Sequence, residues 1–183
     1  TGSADVLIVS SAGYLVTSNP GSGIEIIVSS GSSLVIDGHL AIGDTVQSSE
    51  PGNGSLATGI DDLTIITESE LIIGSSGVVS MDVTYGTSTL NDALTVTTTT
   101  TGGVLRLSGG RLALSSVFSS AGATVTMITA SSILGSFDTI DGLILDNGAN
   151  RTVADIDQLA TSITLTPLGD PGMLQEGSAS GDA

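Results

Sequence analysis

The sequence contains no cysteine, no tryptophan and no lysine, and it has only one histidine and three arginines. Without cysteine, the chain forms neither disulfide bonds nor thiolate zinc sites. Its aromatic residues are two tyrosines and two phenylalanines, so the interior has to consist of small aliphatic side chains in thin layers. Because these absences remove most of the groups that catalysis recruits, the composition favours a structural role and predicts that the chain is not an enzyme.

The charge is one-sided, since 19 acidic residues outweigh the three arginines and give a net charge of −16. This charge repels phosphate backbones and anionic membrane surfaces, and three arginines are too few for a nucleic-acid interface. No apolar run approaches the roughly 18 residues of a membrane-spanning helix. At 39% hydrophobic residues the chain is nevertheless too apolar to be disordered. We therefore expect a folded protein that neither binds nucleic acid nor inserts into a membrane.

Short apolar runs of alternating or β-branched character recur about every nine or ten residues, with serine and glycine between them. This pattern predicts many short strands joined by tight turns. The first runs span residues 6–9, 14–16, 24–28 and 34–36. Two weak internal repeats relate residues 10–16 to 29–35, an offset of 19, and residues 33–36 to 70–73, an offset of 37.

A period of this length accommodates one rung of a β-solenoid, which is two or three strands with their turns, stacked on the next rung. The sequence therefore predicts an all-β fold, a parallel β-solenoid (β-helix) of short rungs. A β-sandwich with donor-strand exchange is the alternative, and both folds leave sheet edges that can pair with another chain. Helical periodicity is weak, and its best candidate, residues 153–160, is short.

The chain divides into one elongated β domain and a tail. We expect the domain to span residues 1–167, with a loop insertion at about residues 47–59, where proline, asparagine and glycine cluster. Residues 168–183 form a polar C-terminal tail of the kind that a lone domain leaves disordered. We expect a neighbouring subunit to order this tail.

Four motifs follow one another in the second half of the chain. They are Gly102-Gly103-Val104-Leu105-Arg106-Leu107, Gly122-Ala123-Thr124-Val125-Thr126-Met127-Ile128, Gly135-Ser136-Phe137 and Ser162-Ile163-Thr164-Leu165-Thr166. Over roughly residues 78–167 the sequence resembles the end of a bacterial autotransporter-type passenger, a secreted β-solenoid surface protein. The resemblance implies a solenoid capped near residue 166 and an adhesive or architectural role. It also implies an extracellular or cell-surface location, and the opening Thr1-Gly2-Ser3 favours a processed product.

Paired carboxylates are the residues best suited to hold a metal ion. Residues two apart on a strand share a face, so Glu68 with Glu70, or Asp155 with Asp157, could converge on one calcium ion. A solvated face is the simpler interpretation of each pair, and the sequence has no calcium-loop motif. Calcium is thus a hypothesis for these four residues, and no cofactor is required.

The remaining candidate residues carry weaker signals. His39 lies in an alternating segment and is expected to be a solvent-facing or hydrogen-bonded strand histidine. A carbohydrate-active enzyme built on paired carboxylates is the least favoured hypothesis, because such enzymes usually bind sugars with aromatic side chains that are scarce here. Asn53 and Asn150 head glycosylation sequons and are candidate glycosylation sites.

We predict a structural subunit of an extracellular filament or sheath, which self-assembles head-to-tail into a homopolymer. Such a contact repeats without closing, and main-chain hydrogen bonds between terminal β segments supply its affinity. The predicted assembly interface consists of Val6, Leu7, Ile8, Val9, Ile163, Leu165 and Leu168. The alternative from another class is a monomeric surface adhesion or glycan-binding module, with a glycan as its partner.

Overall fold

The computed structural model describes residues 6–17, 24–28, 32–42, 62–85, 92–98, 103–118, 124–146 and 151–168. The predicted loop at residues 47–59, the sequons at Asn53 and Asn150, and residues 169–183 of the predicted tail lie outside these ranges.

Every regular element within the described ranges is a β-strand. In chain order the strands are β1 (Val6–Val9), β2 (Tyr14–Thr17), β3 (Ile24–Val28), β4 (Ser33–Ile36), β5 (His39–Ile42), β6 (Asp62–Thr67), β7 (Glu70–Ile73), β8 (Val78–Tyr85), β9 (Ala93–Thr97), β10 (Val104–Ser108), β11 (Arg111–Phe118), β12 (Val125–Ala130), β13 (Ser132–Ser136), β14 (Thr139–Asp141), β15 (Ile144–Asp146), β16 (Arg151–Gln158) and β17 (Ser162–Pro167).

The strands form three sheets that the chain visits in turn. Sheet A has the order β1-β4-β7-β10-β13, sheet B the order β2-β5-β8-β11-β14, and sheet C the order β3-β6-β9-β12-β17-β16-β15. Each strand from β1 to β11 pairs in parallel with its counterpart one turn later, the last of which is β14. We call each set of three successive strands a rung, so the first rung is β1 to β3. The predicted all-β fold of parallel solenoid type is confirmed.

Successive rungs align their inward-facing apolar residues, although the number of residues per rung varies. Sheet A contains one column of inward-facing residues that pair in succession, at separations of 27, 37, 34 and 28 residues. They are Leu7, Leu34, Leu71, Leu105 and Ile133. The predicted offset of 37 is therefore confirmed for one pair of rungs. The offset of 19 relates β2 to β4, which lie in different sheets, so it does not describe the stacking of one rung on the next.

Aliphatic side chains fill the space between the three sheets. Leucine, isoleucine and valine dominate the buried cluster, and Phe137 is the only aromatic residue in it among the described residues. Each fully buried leucine or isoleucine stabilises the fold by about 1.5–3 kcal/mol relative to an exposed one. The structure thus contains the thin aliphatic layers that the composition predicts.

One corner of the solenoid, between sheets A and B, is built from backbone packed on backbone. Gly110 adopts φ 82°, and a Cβ atom there would lie 2.6 Å from the carbonyl oxygen of Gly77 and 2.7 Å from that of Gly74. The amide of Arg111 donates to the Gly77 carbonyl at 2.9 Å, and Asp138 donates to the Gly110 carbonyl at 3.0 Å. Only glycine fits this left-handed conformation without strain, so Gly110 allows consecutive rungs to stack closely.

The C-terminal strands end the parallel pattern. β17 pairs antiparallel with β12 on one side and with β16 on the other, and β15 pairs antiparallel with β16. Residues 153–160, the best candidate for the weak helical periodicity, are not helical, since most of this segment lies in β16. There Ala154 is buried while Asp155 and Asp157 are exposed, which is the period of two of a strand.

Candidate functional site: the open first rung

The first rung lies at the same end of all three sheets. β1, β2 and β3 are the terminal strands of sheets A, B and C, and each pairs with a described strand on one side only. Their outer edges present backbone donors and acceptors that no described strand uses. Such an edge is a template for a further strand. The first rung therefore exposes three strand edges to whatever adjoins this end.

The apolar interior is also open at this end. Leu7 is 62% exposed, although Leu34, Leu71 and Leu105 in the same inward-facing column are completely buried. The difference arises because each later leucine is covered by a rung on both sides, and Leu7 by one rung only. Other apolar side chains of the first rung are exposed as well, namely Val6, Ile8, Tyr14, Val16 and Ile27.

The other end of the solenoid is covered by the chain's own last strands. The amide of Ile133 on β13 donates to the carbonyl of Ala160 at 2.7 Å, and the Gln158 side chain donates to the carbonyl of Gly135. Ala154 of β16 is buried in the core cluster, and Ile133 at this end of its column is only 7% exposed. This cover is partial, because β14, the last strand of sheet B, pairs with β11 alone among the described strands. The two ends therefore differ in sheet A, where β1 is open and β13 is partly covered.

The first rung is almost free of charge. Glu25 is the one carboxylate among its described residues, and neither lysine nor arginine occurs there. The whole chain has a net charge of −16. The open end is therefore a nearly neutral, apolar surface on an otherwise acidic molecule.

The predicted assembly residues fall into two groups. Val6, Leu7 and Ile8 are exposed on β1, and Val9 is half-buried beside the core cluster. Toward the C-terminus the placements are mixed.

Ile163 and Leu165 are buried in this chain's own core, on a strand with neighbours on both sides. Leu168 is exposed, and its amide donates to the carbonyl of Val153 at 2.9 Å. Of the C-terminal candidates, only Leu168 thus has an exposed side chain.

The predicted calcium ligands also have different surroundings. Glu70 accepts hydrogen bonds from Nε and Nη2 of Arg106 at 3.0 and 2.6 Å. This pairing lowers the pKa of Glu70 below its ordinary value and raises that of Arg106. Glu68 is exposed at the bend before β7. Because Arg106 neutralises Glu70, the Glu68 and Glu70 pair is less suited to a cation than its spacing suggests.

Asp155 and Asp157 share the exposed face of β16, as the strand spacing predicts. Among the residues that the structure describes, no group of three or more histidine, cysteine, aspartate or glutamate side chains is placed to hold a metal ion. Calcium prefers six to eight oxygen ligands. A site at this pair would therefore need water or further oxygen donors.

A polar contact across sheet B was not predicted. The Nε2 atom of His39 lies 3.1 Å from Oγ of Ser80 on the next rung, and the Tyr14 ring stacks on the His39 ring at a centroid distance of 5.2 Å. A serine beside a histidine is the geometry of an activated nucleophile. Ser80 is only 1% exposed, however, so this pair ties three rungs together and does not present a reactive hydroxyl to a substrate.

Comparisons with protein-family models, curated proteins and solved structures find no match to this chain.

None of the described segments forms a helix of the length and apolarity that crossing a bilayer requires.

Proposed function

We propose that this chain is a structural β-solenoid subunit of an extracellular or cell-surface assembly, and that it associates through the open first rung. The observation that carries the proposal is the exposure of Leu7 at the end of a column that is otherwise buried. Addition of a β-strand requires main-chain hydrogen bonds and pockets for alternate side chains. The unpaired strand edges of the first rung can supply the hydrogen bonds, and the open apolar interior can supply the pockets.

The energetics of the first rung support association. Val6, Leu7 and Ile8 are each more than half exposed. Leu7 faces the interior, and completing its burial would contribute about 1 kcal/mol or more, whereas Val6 and Ile8 face outward and would gain less. Each backbone hydrogen bond formed along the edge would add about 1 kcal/mol. Because the loss of free tumbling costs about 4 kcal/mol or more, we expect weak association that is measurable at high protein concentration.

The extracellular location and the homopolymer belong to the same proposal. Support comes from the resemblance to autotransporter-type passengers and the solenoid fold. Head-to-tail growth into a filament or sheath would require an accessible surface at the C-terminal end. In the described part of that end, the segment at residues 158–160 covers part of β13, whereas the outer edge of β14 pairs with no described strand, so head-to-tail growth would have to use the β14 edge or residues 169–183.

The proposal is tested by comparing two lysine variants with the unmodified protein. Leu7→Lys places a charge in the open end of the interior, whereas Val35→Lys places the same charge on the outer face of the second rung. Sedimentation equilibrium over a range of concentrations measures association, and circular dichroism confirms the fold of each variant. Negative-stain electron microscopy shows whether the assemblies are filaments.

We expect the unmodified protein and Val35→Lys to associate to the same extent and Leu7→Lys to remain monomeric. A monomeric unmodified protein at all concentrations would overturn the proposal and support the monomeric adhesion or glycan-binding module. Equal association of all three proteins would place the contact elsewhere and would also overturn it.

A further inference from the structure

The outer face of sheet C carries a regular array of hydroxyl side chains. The array lies on β6, β9, β12 and β17, which are neighbours in this sheet. Threonine dominates the outward-facing positions of these four strands. We infer that this threonine array binds the surface of ice. The activity is separate from association through the first rung, because the array lies on a lateral face of the solenoid.

One column of hydroxyl-bearing residues crosses all four strands. The pairing of the strands aligns Thr64 with Thr95, Thr95 with Thr129, and Thr129 with Ser162. Neighbouring strands of a sheet lie about 4.8 Å apart. The column therefore presents a hydroxyl-bearing side chain at about the same interval on each successive strand.

The array also extends along the strands. Thr164 and Thr166 are two residues apart on β17, a separation of roughly 7 Å in an extended strand. Thr164 pairs with Thr126, and Oγ1 of Thr166 lies 2.9 Å from Oγ1 of Thr124. The oxygen atoms of ice repeat at distances close to the strand spacing and to the separation of alternate residues. Water that is hydrogen-bonded to the array can therefore continue into the ice lattice.

The buried residues beneath the array hold its side chains in place. Leu94, Val96 and Leu165 alternate with the threonines and are 0–1% exposed. A β-branched side chain has few χ1 rotamers, so threonine loses little conformational entropy when its hydroxyl group meets a fixed oxygen. Many weak contacts can add to a measurable affinity when the face that makes them is ordered before binding.

The distribution of charge favours an uncharged lattice as the partner. The chain has a net charge of −16, yet Asp62 is the one charged residue among the described outward-facing positions of the four strands. Glu25 on β3, and Asp155 and Asp157 on β16, flank the array. Because ice excludes ions from its lattice, a neutral face of hydroxyl and methyl groups complements it.

A crystalline polysaccharide is the other uncharged lattice of hydroxyl groups. Proteins usually bind such polysaccharides by stacking aromatic side chains on the sugar rings. None of the described outward-facing residues on β6, β9, β12 and β17 is aromatic. The composition of the face therefore favours ice over a polysaccharide.

Uptake of dilute protein into slowly growing ice tests the inference. Thr129→Lys places a charge at an exposed position of the hydroxyl column, and Thr95→Lys does so on the neighbouring strand. Thr139→Lys is the matched control, because it makes the same change on the outer face of sheet B. Circular dichroism confirms the fold of each variant, and protein is measured in the ice and in the remaining liquid.

We expect ice to take up the unmodified protein and Thr139→Lys several-fold more than a control protein without affinity for ice. Uptake of Thr129→Lys and Thr95→Lys should fall to the level of that control, and either variant suffices if the other does not fold. Exclusion of the unmodified protein from ice would overturn the inference. Equal uptake of all four proteins would also overturn it, since binding would not use the array.

Co-sedimentation with crystalline cellulose and chitin separates the two kinds of lattice. We expect the unmodified protein to remain in the supernatant. Binding to a polysaccharide that Thr129→Lys abolishes, without uptake into ice, would assign the array to a glycan and overturn the inference.

Discussion

The open end makes a sharp prediction about two leucines in one column. Leu71 and Leu7 face the interior from sheet A, and Leu34 lies between them in the stack. Leu71 is fully buried, whereas Leu7 is 62% exposed. Substitution of each by alanine removes the same three carbon atoms. The difference in stability between Leu71→Ala and Leu7→Ala therefore measures the effect of a missing covering rung.

The magnitude follows from the burial of each side chain. Three buried carbon atoms are worth about 2.4 kcal/mol of transfer free energy. The cavity left in a packed column raises the expected cost of Leu71→Ala to about 3–5 kcal/mol. For Leu7→Ala less than half of the transfer term applies, and the space opens to solvent without leaving a closed cavity, so we expect about 1 kcal/mol.

Urea denaturation followed by circular dichroism measures both costs. The experiment is repeated at several protein concentrations, because a loss for Leu7→Ala that grows with concentration reports association and not monomer folding. Equal losses for Leu7→Ala and Leu71→Ala at the lowest concentration would refute the reasoning, since they would show that the first rung is covered in the monomer.

Three further predictions concern the corner, the ion pair and the carboxylates. Gly110→Ala should destabilise the fold by at least about 1–2 kcal/mol in urea denaturation, because alanine is strained at positive φ and its Cβ would meet backbone oxygens. Arg106→Met should lower stability slightly at pH 7, because the ion pair with Glu70 is solvent-exposed. That loss should vanish as the pH falls through the lowered pKa of Glu70, since the ionised carboxylate is what the folded state stabilises. Calcium should raise the unfolding midpoint slightly, and the double change of Asp155 and Asp157 to asparagine should abolish this rise.

Each of these predictions has a control and a contradicting result. Ser76→Ala, in an exposed turn, should be nearly neutral, and an equal cost for Gly110→Ala would contradict the packing argument. A stability loss for Arg106→Met that is unchanged at low pH would assign it to packing of the arginine and not to the ion pair. A calcium effect that survives in the double asparagine variant would place the ion at other residues.

The fold could be predicted from the sequence because the features that specify it are short segments of neighbouring residues. Alternating apolar runs separated by serine and glycine specify short strands and turns, and the 37-residue echo specifies which strands stack. The variable rung length could not be read in the same way. The register is determined by which aliphatic residues face the interior, and segments between strands can lengthen without changing it.

The surface contacts and the cap depend on pairing between distant segments. Glu70 and Arg106 are 36 residues apart, and His39 and Ser80 are 41 apart, so neither contact is visible until the rungs are aligned. Ile163 looks like an end-strand residue in the sequence. It is buried because β17 enters sheet C between β12 and β16, and no local pattern specifies that insertion.

The asymmetry of the two ends follows from the same physics. A parallel rung covers the rung before it but leaves its own outer edge open, so a parallel stack cannot complete itself at either end. This chain covers part of one end by reversing direction: the antiparallel hairpin of β16 and β17 extends sheet C beyond β12, and its short turn contacts β13. The first rung has no comparable element among the described residues. The first rung therefore lacks, on its outer side, the backbone hydrogen bonds and apolar contacts that a following rung would supply. A further β-strand bound at this edge would replace them.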